Sequence, residues 1–302
     1  MEMDVTASAA LDELGSLPFD VVTEERNTVE TLPASAHVAA KLEALDAEIV
    51  QRAQAVIVGT DPEAVHDFRV SLRQLRTLLK LARPLYGRFY ADAVRNSFAE
   101  LQRATGALRD EEALEETVAA MGIQHRPLSD WQKRRAARAR ALRRAVVARV
   151  ESQDLVRARQ MLRAILVLPI HPKRERGLAA FATRKVEETL DEAERLSKKQ
   201  TEDPLALHEL RIACKRLRYT VEFFEDVLPE PLRTLRKPAT KLQKVLGDVH
   251  DLDVALVVMQ RQYALPMALR TRVLRALSTR RAEKVAAFES LRTPPPTAPV
   301  TV

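Results

Sequence analysis

One pattern of a histidine followed by regularly spaced cations occurs twice in the chain, 142 residues apart. From each histidine, arginine or lysine follows at +3, +7 and +10. At about 100° per residue, these positions fall within an arc of roughly 80° on one face of a helix. We call each arc a basic stripe: the first contains His66, Arg69, Arg73, Arg76 and, further on, Lys80, and the second contains His208, Arg211, Lys215 and Arg218. A stripe repeated at one fixed spacing predicts two similar helical halves.

The opposite face of each predicted helix is apolar. Its residues are Val65, Phe68, Leu72, Leu75 and Leu79 in the first copy, and Leu207, Leu210, Cys214, Leu217 and Val221 in the second. Each copy opens with Asp-Pro, at positions 61 and 203, which predicts an N-cap followed by a proline at the first helical position. Solvated helices mix charge signs on their outer face, so a face of one sign indicates a polyanionic partner.

A second block repeats downstream of each stripe, offset by 141 residues. Residues 101–112 and 242–253 share the frame Leu-Gln-basic-x-x-Gly-x-x-basic-Asp-x-acid. We expect Gly106 and Gly247 each to end a helix, and the basic–Asp pair after each glycine to open the next helix. Two blocks in the same order predict two pseudo-equivalent helical bundles.

The composition favours helices, with 46% hydrophobic residues, 30% charged residues and 7 glycines among 302 residues. We predict an all-α fold over residues 32–292, with one repeat at about 35–168 and the other at about 173–292. Residues 1–31 are predicted to be an acidic tail, and the proline-rich residues 293–302 to be disordered. The predicted helices cover about 35–58, 62–82, 88–107, 110–121, 128–168 with a break near 152–154, 175–199, 204–226, 231–247, 248–262 and 266–291.

The charge is unevenly distributed. The chain carries a net +7, but residues 1–30 contain eight acids and one base, a net −7, so that the remainder carries +14. Such a field attracts phosphate polymers. Two roles stay open for the acidic tail: it solubilises the protein, or it occupies a basic cavity when no ligand is bound.

Cysteine usage and hydropathy point to a reducing compartment. The single cysteine, Cys214, lies on an apolar face and is expected to be a core residue. The amino-terminal sequence has neither a basic region nor an apolar stretch typical of secretory signals, and no run of 18 apolar residues occurs. We therefore expect a cytoplasmic protein without a membrane partner.

The paired motifs resemble one family. The two His-x-x-Arg-x-x-x-(Arg/Lys)-x-x-Arg helices, each followed by Leu-Gln-x-x-x-Gly-x-x-x-Asp, are similar to the CHAD family, the conserved histidine α-helical domain, over about residues 35–291. The resemblance implies two helical bundles related by a pseudo-twofold around a basic cavity, and binding of inorganic polyphosphate, often at polyphosphate granules. The matching positions are His66, Arg69, Arg73, Arg76, Arg103 and Asp110, and His208, Arg211, Lys215, Arg218, Lys244 and Asp251.

The two halves also differ. Arg109 stands where the second half has His250. The positions of Asp92, Asn96 and Glu100 correspond to cations in the second half, so the third helix of the first half is less cationic than its counterpart. To the matching cations and histidines the predicted site adds Lys80, Arg109, Lys237, Lys241 and His250, with Asp110 and Asp251 as carboxylates that orient the arginines.

We predict binding of polyphosphate without catalysis, cofactor or metal. One alternative is a polyphosphate hydrolase that uses Asp110 and Asp251 with a divalent metal. Another is a sequence-independent nucleic-acid binder, which 4% aromatic residues do not favour. An arginine-rich run at 133–163 has no repeated counterpart; it is either a solvated outer face or further ligand surface. The sequence leaves the oligomeric state open.

Overall fold

The computed structural model describes residues 32–167, 177–199 and 203–292. Within these ranges the elements are helices, and the extended pairing is an isolated antiparallel bridge between Pro33 and Gly177. The predicted all-α class is therefore confirmed. The predicted acidic tail at 1–31 and the predicted disordered end at 293–302 lie outside the described residues.

The chain divides into two units. In the described ranges, the first unit comprises residues 32–116, 124–167 and 177–185, and the second comprises 117–123, 186–199 and 203–292. The first unit contains α1 (Ala34–Val58), α2 (Ala64–Leu81), the short α3 (Arg83–Tyr86), α4 (Arg88–Ala104), most of α5 (Gly106–Ala119), α6 (Arg126–Glu151) and α7 (Gln153–Val167). Helix α8 (Leu178–Ser197) is shared between the units, and the second unit contains α9 (Pro204–Phe224), a 3₁₀ turn (Glu225–Val227), α10 (Glu230–Thr234), α11 (Arg236–Gln260) and α12 (Met267–Arg292).

Each unit packs its basic-stripe helix against the helix that carries the second repeated block. In the first unit α2 lies between α1 and α4, and α4 also contacts α6 and α7. In the second unit α11 packs between α9 and α12. The same pairing, α2 with α4 and α9 with α11, recurs in both units.

The buried positions of the block helices match one for one at an offset of 141 residues. Along α11 the buried residues follow each other at spacings of 3, 4, 3, 3, 3 and 4, so that the buried stripe winds around the helix. Helices α4 and α5 bury the same positions. The pairs are Phe98 and Ala239, Leu101 and Leu242, Thr105 and Leu246, Leu108 and Val249, Glu111 and Leu252, Leu114 and Ala255, and Val118 and Met259.

The predicted change of helix at the block glycines is confirmed in the first copy and wrong in the second. Gly106 opens α5 instead of ending α4, which stops at Ala104, and Gly247 lies inside the continuous helix α11. The glycines with positive φ are Gly59, Gly87 and Gly122. Because neither block glycine needs a left-handed backbone, neither provides the helix stop that a C-terminal glycine provides. His250 and Asp251 consequently lie in the middle of α11 and not at a helix start.

Other predicted boundaries are close to the structure. Helix α1 ends at Gly59, whose φ is 72°, and the arginine-rich run breaks at Ser152. The second Asp-Pro cap is confirmed, since the Asp203 carboxylate accepts a hydrogen bond from the backbone N–H of Leu205 at the start of α9. In the first copy the Asp61 carboxylate accepts from Glu63 in the same way, but the α-helix begins only at Ala64 because residues 62–63 form a turn.

Candidate functional site

The apolar backs of the two basic-stripe helices are buried, as predicted. All ten back residues are at most 4% exposed, and they fix the rotation of α2 and α9 so that the stripes face outward from the core. Cys214 belongs to this back, and burial raises the pKa of its thiol to about 12. The cysteine is therefore a core residue, and its thiol stays protonated at neutral pH.

In the first unit, two stripe arginines are held by the end of α4. The Arg69 guanidinium donates to the carbonyl oxygen of Gln102 at 3.0 Å and to the hydroxyl of Thr105. Arg76 donates to the side-chain carbonyl of Gln102. Since α4 ends at Ala104, Arg69 satisfies a carbonyl near the helix terminus that the helix itself leaves unpaired.

The cations of the first stripe oppose one another. Burial, and next the field of Arg73, lower the pKa of Arg69 to about 10. Burial and the nearby Arg95 and Arg73 lower the pKa of Arg76. Burial and the adjacent Arg109 lower the pKa of His66, so this imidazole is neutral at pH 7. The like charges of the stripe are thus brought together without full compensation.

In the second unit the corresponding place holds two histidines. The Nδ1 atoms of His208 on α9 and His250 on α11 lie 3.3 Å apart, and the ring centroids lie 4.6 Å apart. Burial and Arg211 lower the pKa of both rings, that of His250 to about 4. Arg211 also crosses Gly247, where a Cβ atom would lie 3.7 Å from its Nε.

The two units differ in where they place several of the remaining predicted site cations. Lys237, Lys241 and Lys244 are exposed along α11, whereas α4 has Asn96, Glu100 and the exposed Arg103 at these positions, the last two within 3.8 Å of each other. Conversely, the position of Lys80 on α2 is taken in α9 by Glu222, which lies 3.5 Å from both Arg218 and Arg236. The sequence asymmetry is therefore an exchange of cations between the two helices of each pair.

Carboxylates of the repeated block bind cations on neighbouring helices. Glu112 accepts from Arg143 on α6 at 2.6 Å, Asp253 accepts from Arg281 on α12, and Asp248 accepts from Lys284 at 2.6 Å. Asp110 acts on Arg69 through its field and raises the pKa of that guanidinium against the larger lowering by burial. That Asp110 and Asp251 orient arginines stays a prediction.

Buried carboxylates form ion pairs with arginines on the inner side of the arginine-rich run. The sequence did not predict these ion pairs. Glu111, 5% exposed, lies 2.7 Å from Arg135 and 2.9 Å from Arg138. Asp46 accepts two hydrogen bonds from Arg159, at 2.7 and 3.0 Å. These ion pairs fasten α6 and α7 to the first unit, while Arg134, Arg140 and Arg144 are exposed on α6.

In the described part of the chain, no cluster of three or more His, Cys, Asp or Glu side chains is arranged to hold a metal ion. The described helices also include none with the length and apolar character that crossing a membrane requires. Ligand contact by each predicted site residue, and a single cavity shared by the two stripes, stay predictions.

The repeated pairing of a basic helix with a block helix defines an all-helical protein built by internal duplication. The CHAD domain model matches residues 39–260, and the chain belongs to the CHAD family. The chain is similar to the crystal structure of the CHAD domain from the plant Ricinus communis, with 25% identity and a TM-score of 0.72 over 90% of this chain and 97% of that one. It shares its fold with PptA from Streptomyces chartreusis, with 17% identity and a TM-score of 0.59 over 86% of this chain and 97% of that one. No curated protein matches the chain.

Proposed function

We propose that the protein binds inorganic polyphosphate through the basic stripes of α2 and α9 and catalyses no reaction on it. The observation that carries the proposal is that cations of the first stripe are partly buried and oppose one another. Burial and Arg73 lower the pKa of Arg69 to about 10, and burial and other arginines lower the pKa of Arg76. A bound polyanion offsets this repulsion, so part of the binding free energy is already stored in the free protein.

The chemistry of the stripes suits phosphate better than nucleobases. Arginine offers forked donors to phosphate oxygens, and lysine provides a point charge. Base recognition in single strands depends on aromatic stacking. The single tryptophan, Trp131, is 4% exposed and packs under Arg135, so it is not available to stack on a base. Polyphosphate, which carries charge and oxygens alone, is the polymer that such a surface fits.

The block carboxylates support binding without catalysis. Glu112 and Asp253, each two residues after the candidate metal ligands Asp110 and Asp251, are engaged by Arg143 and Arg281 and so are not free to complete a metal site there. The membership in the CHAD family adds the expectation that binding occurs at polyphosphate granules.

The test is incubation of the protein with long-chain polyphosphate, with and without Mg²⁺, followed by native electrophoresis and chain-length analysis. We expect retention of the polymer at unchanged chain length in both conditions. Shortening of the chains with Mg²⁺ would indicate the hydrolase. Stronger retention of single-stranded DNA than of polyphosphate at equal charge would indicate the nucleic-acid binder.

Two triple variants that remove the same charge distinguish a site from a general field. One replaces Arg73, Lys215 and Arg218 by glutamine. The control replaces the exposed Arg134, Arg140 and Arg144 of α6 by glutamine. We expect the first triple variant to lose most of the affinity and the control to retain most of it. Equal losses would show that the net charge, and not the stripes, binds the polymer.

A further inference from the structure

A pair of histidines joins the two helices of the second unit inside its basic stripe. His208 and His250 approach through their Nδ1 atoms at 3.3 Å, with ring planes inclined by 41°. At this distance one ring donates its Nδ1–H to the unprotonated Nδ1 of the other. The contact therefore requires that at least one of the two rings is neutral.

The charges around the pair are mostly positive. From α9 the pair faces Arg211, Lys215 and Glu209, and Glu209 is itself bound by Lys199 at 2.6 Å. From α11 it faces Asp253, which is bound by Arg281 of α12. Burial and Arg211 lower the pKa of His250 to about 4 and also lower that of His208. Without a ligand the pair is therefore uncharged at neutral pH.

The first unit has no equivalent pair. Its histidine, His66, lies in the field of Arg109, which occupies the position of His250. Arginine keeps its charge at every pH that the folded protein meets. Only the second unit can therefore change the charge of both groups at this position.

We propose that His208 and His250 form a subsite that takes up one proton when a phosphate group of the polyanion binds beside them. The negative charge of the phosphate compensates Arg211 and Lys215, which oppose protonation in the free protein. The pair accepts one proton readily, because a protonated ring still donates to its neutral partner, whereas a second proton would remove the acceptor. The inference rests on the proposed polyphosphate binding and assigns its pH dependence to one pair of residues.

The experiment is calorimetry of the full chain with long-chain polyphosphate near pH 6, in two buffers with different heats of ionisation. Long chains are used because their internal phosphates do not titrate in this range. The difference between the two binding enthalpies gives the number of protons taken up. We expect about one proton for the unsubstituted protein, and a binding constant that rises by up to about tenfold for each pH unit of acidification while the pair titrates.

The matched variant is His250→Arg, which gives the second unit the residue of the first. We expect it to reduce the uptake to a small fraction of a proton and to flatten the pH dependence. His208→Gln is the second variant, with the same expected loss of uptake, in case His250→Arg does not fold. His125→Gln is the control, because His125 is exposed at the start of α6 and lies outside both basic stripes, and it should keep most of the uptake.

Each other outcome contradicts the inference. Equal uptake in the unsubstituted protein and in folded His250→Arg, or uptake lost only in His125→Gln, assigns the proton elsewhere and overturns it. Binding without proton uptake overturns the inference but leaves the proposed function intact. No binding heat in either buffer overturns the proposed function, and the inference with it.

Discussion

The guanidinium of Arg69 on α2 donates to the hydroxyl of Thr105 at the junction between α4 and α5. In the second unit the position of Thr105 is occupied by Leu246, and helix α11 runs through it without a break. The polar residue thus accompanies the helix break, and the arginine that satisfies it belongs to the basic stripe. Arg69 consequently has a structural role that its counterpart Arg211 does not share at this position.

Thr105→Val tests this structural role. The valine keeps the volume but removes a hydroxyl that accepts from Arg69 and donates to the carbonyl of Gln102 at 2.8 Å, while Arg69 keeps its bond to that carbonyl. We therefore expect a loss of about 1–3 kcal/mol in the free energy of unfolding. Denaturant unfolding measures the loss. Thr234→Val is the control, because its hydroxyl bonds to the carbonyl of Pro231 in an exposed position, and it should change the stability by less than about 0.5 kcal/mol. An equal effect of the two substitutions would remove the special role of Thr105.

Gly247→Ala should stabilise the second unit. Gly247 lies inside a helix, and a Cβ atom there makes ordinary contact at 3.7 Å with Arg211. Alanine is about 0.5–1 kcal/mol better than glycine in a helix interior, so we expect an increase of this order in the free energy of unfolding. Gly59→Ala is the contrast, because Gly59 has a φ of 72° and should lose stability on the same change. A destabilised Gly247→Ala would mean that Arg211 needs the space.

Polyphosphate binding should weaken steeply with salt. Each phosphate contact replaces a condensed counterion, so single Arg73→Ala and Lys215→Ala variants should bind less tightly, with a slope of log K against log salt that is flatter by about one. Titration at four or more salt concentrations measures the slope. Unchanged slopes in both variants would place the site away from the stripes.

Arg218→Lys separates forked recognition from charge alone. Lysine preserves the charge but lacks the planar donor pair, so the affinity should fall while the salt slope stays the same. Titration beside the unsubstituted protein at one pH provides the comparison. An unaltered affinity would show that Arg218 contributes only its positive charge and not a forked pair of hydrogen bonds.

The free protein should lose stability as the pH falls from about 6.5 toward about 4. His250 has a folded pKa of about 4, below the ordinary 6.5 of the unfolded chain, so the unfolded state binds more protons in this window. The contribution is complete above pH 6.5 and is lost progressively below it. His250→Gln should show a smaller drop in melting temperature between pH 7 and pH 5. Identical drops would show that other groups cause the acid sensitivity.

The sequence was sufficient for the helical class, the duplication and the buried backs of α2 and α9, because a period of 3.6 and a repeat at fixed offset are local properties of the chain. It placed a helix end at Gly247, where α11 is continuous. The buried stripe of α11 drifts around the helix because that helix packs on both α9 and α12, and such a drift in one long helix looks like two helices in sequence. Tertiary packing, and not the glycine, decides the outcome.

Several partners of the charged residues depend on contacts between distant segments. Arg159 and Asp46 are 113 residues apart, and nothing in their local sequence links them. The same holds for the ion pair between Glu111 and Arg135. It also holds for the histidine pair: the repeat aligns His250 with Arg109, but it does not show that the His250 ring contacts His208. The sequence predicts which helix faces are charged. The fold determines which of these charged side chains form internal ion pairs.

The length of the row of cations on α2 sets a length scale for its ligand. His66 and Lys80 stand at the two ends of the first stripe, 14 residues apart on one helix, which corresponds to about 21 Å at about 1.5 Å per residue. A single phosphate or a dimer meets one or two cations of this row, whereas an extended polymer meets them all at once. The affinity per polymer should therefore increase with each added phosphate until the polymer is longer than the row of cations on α2. Beyond that length the affinity should stay constant.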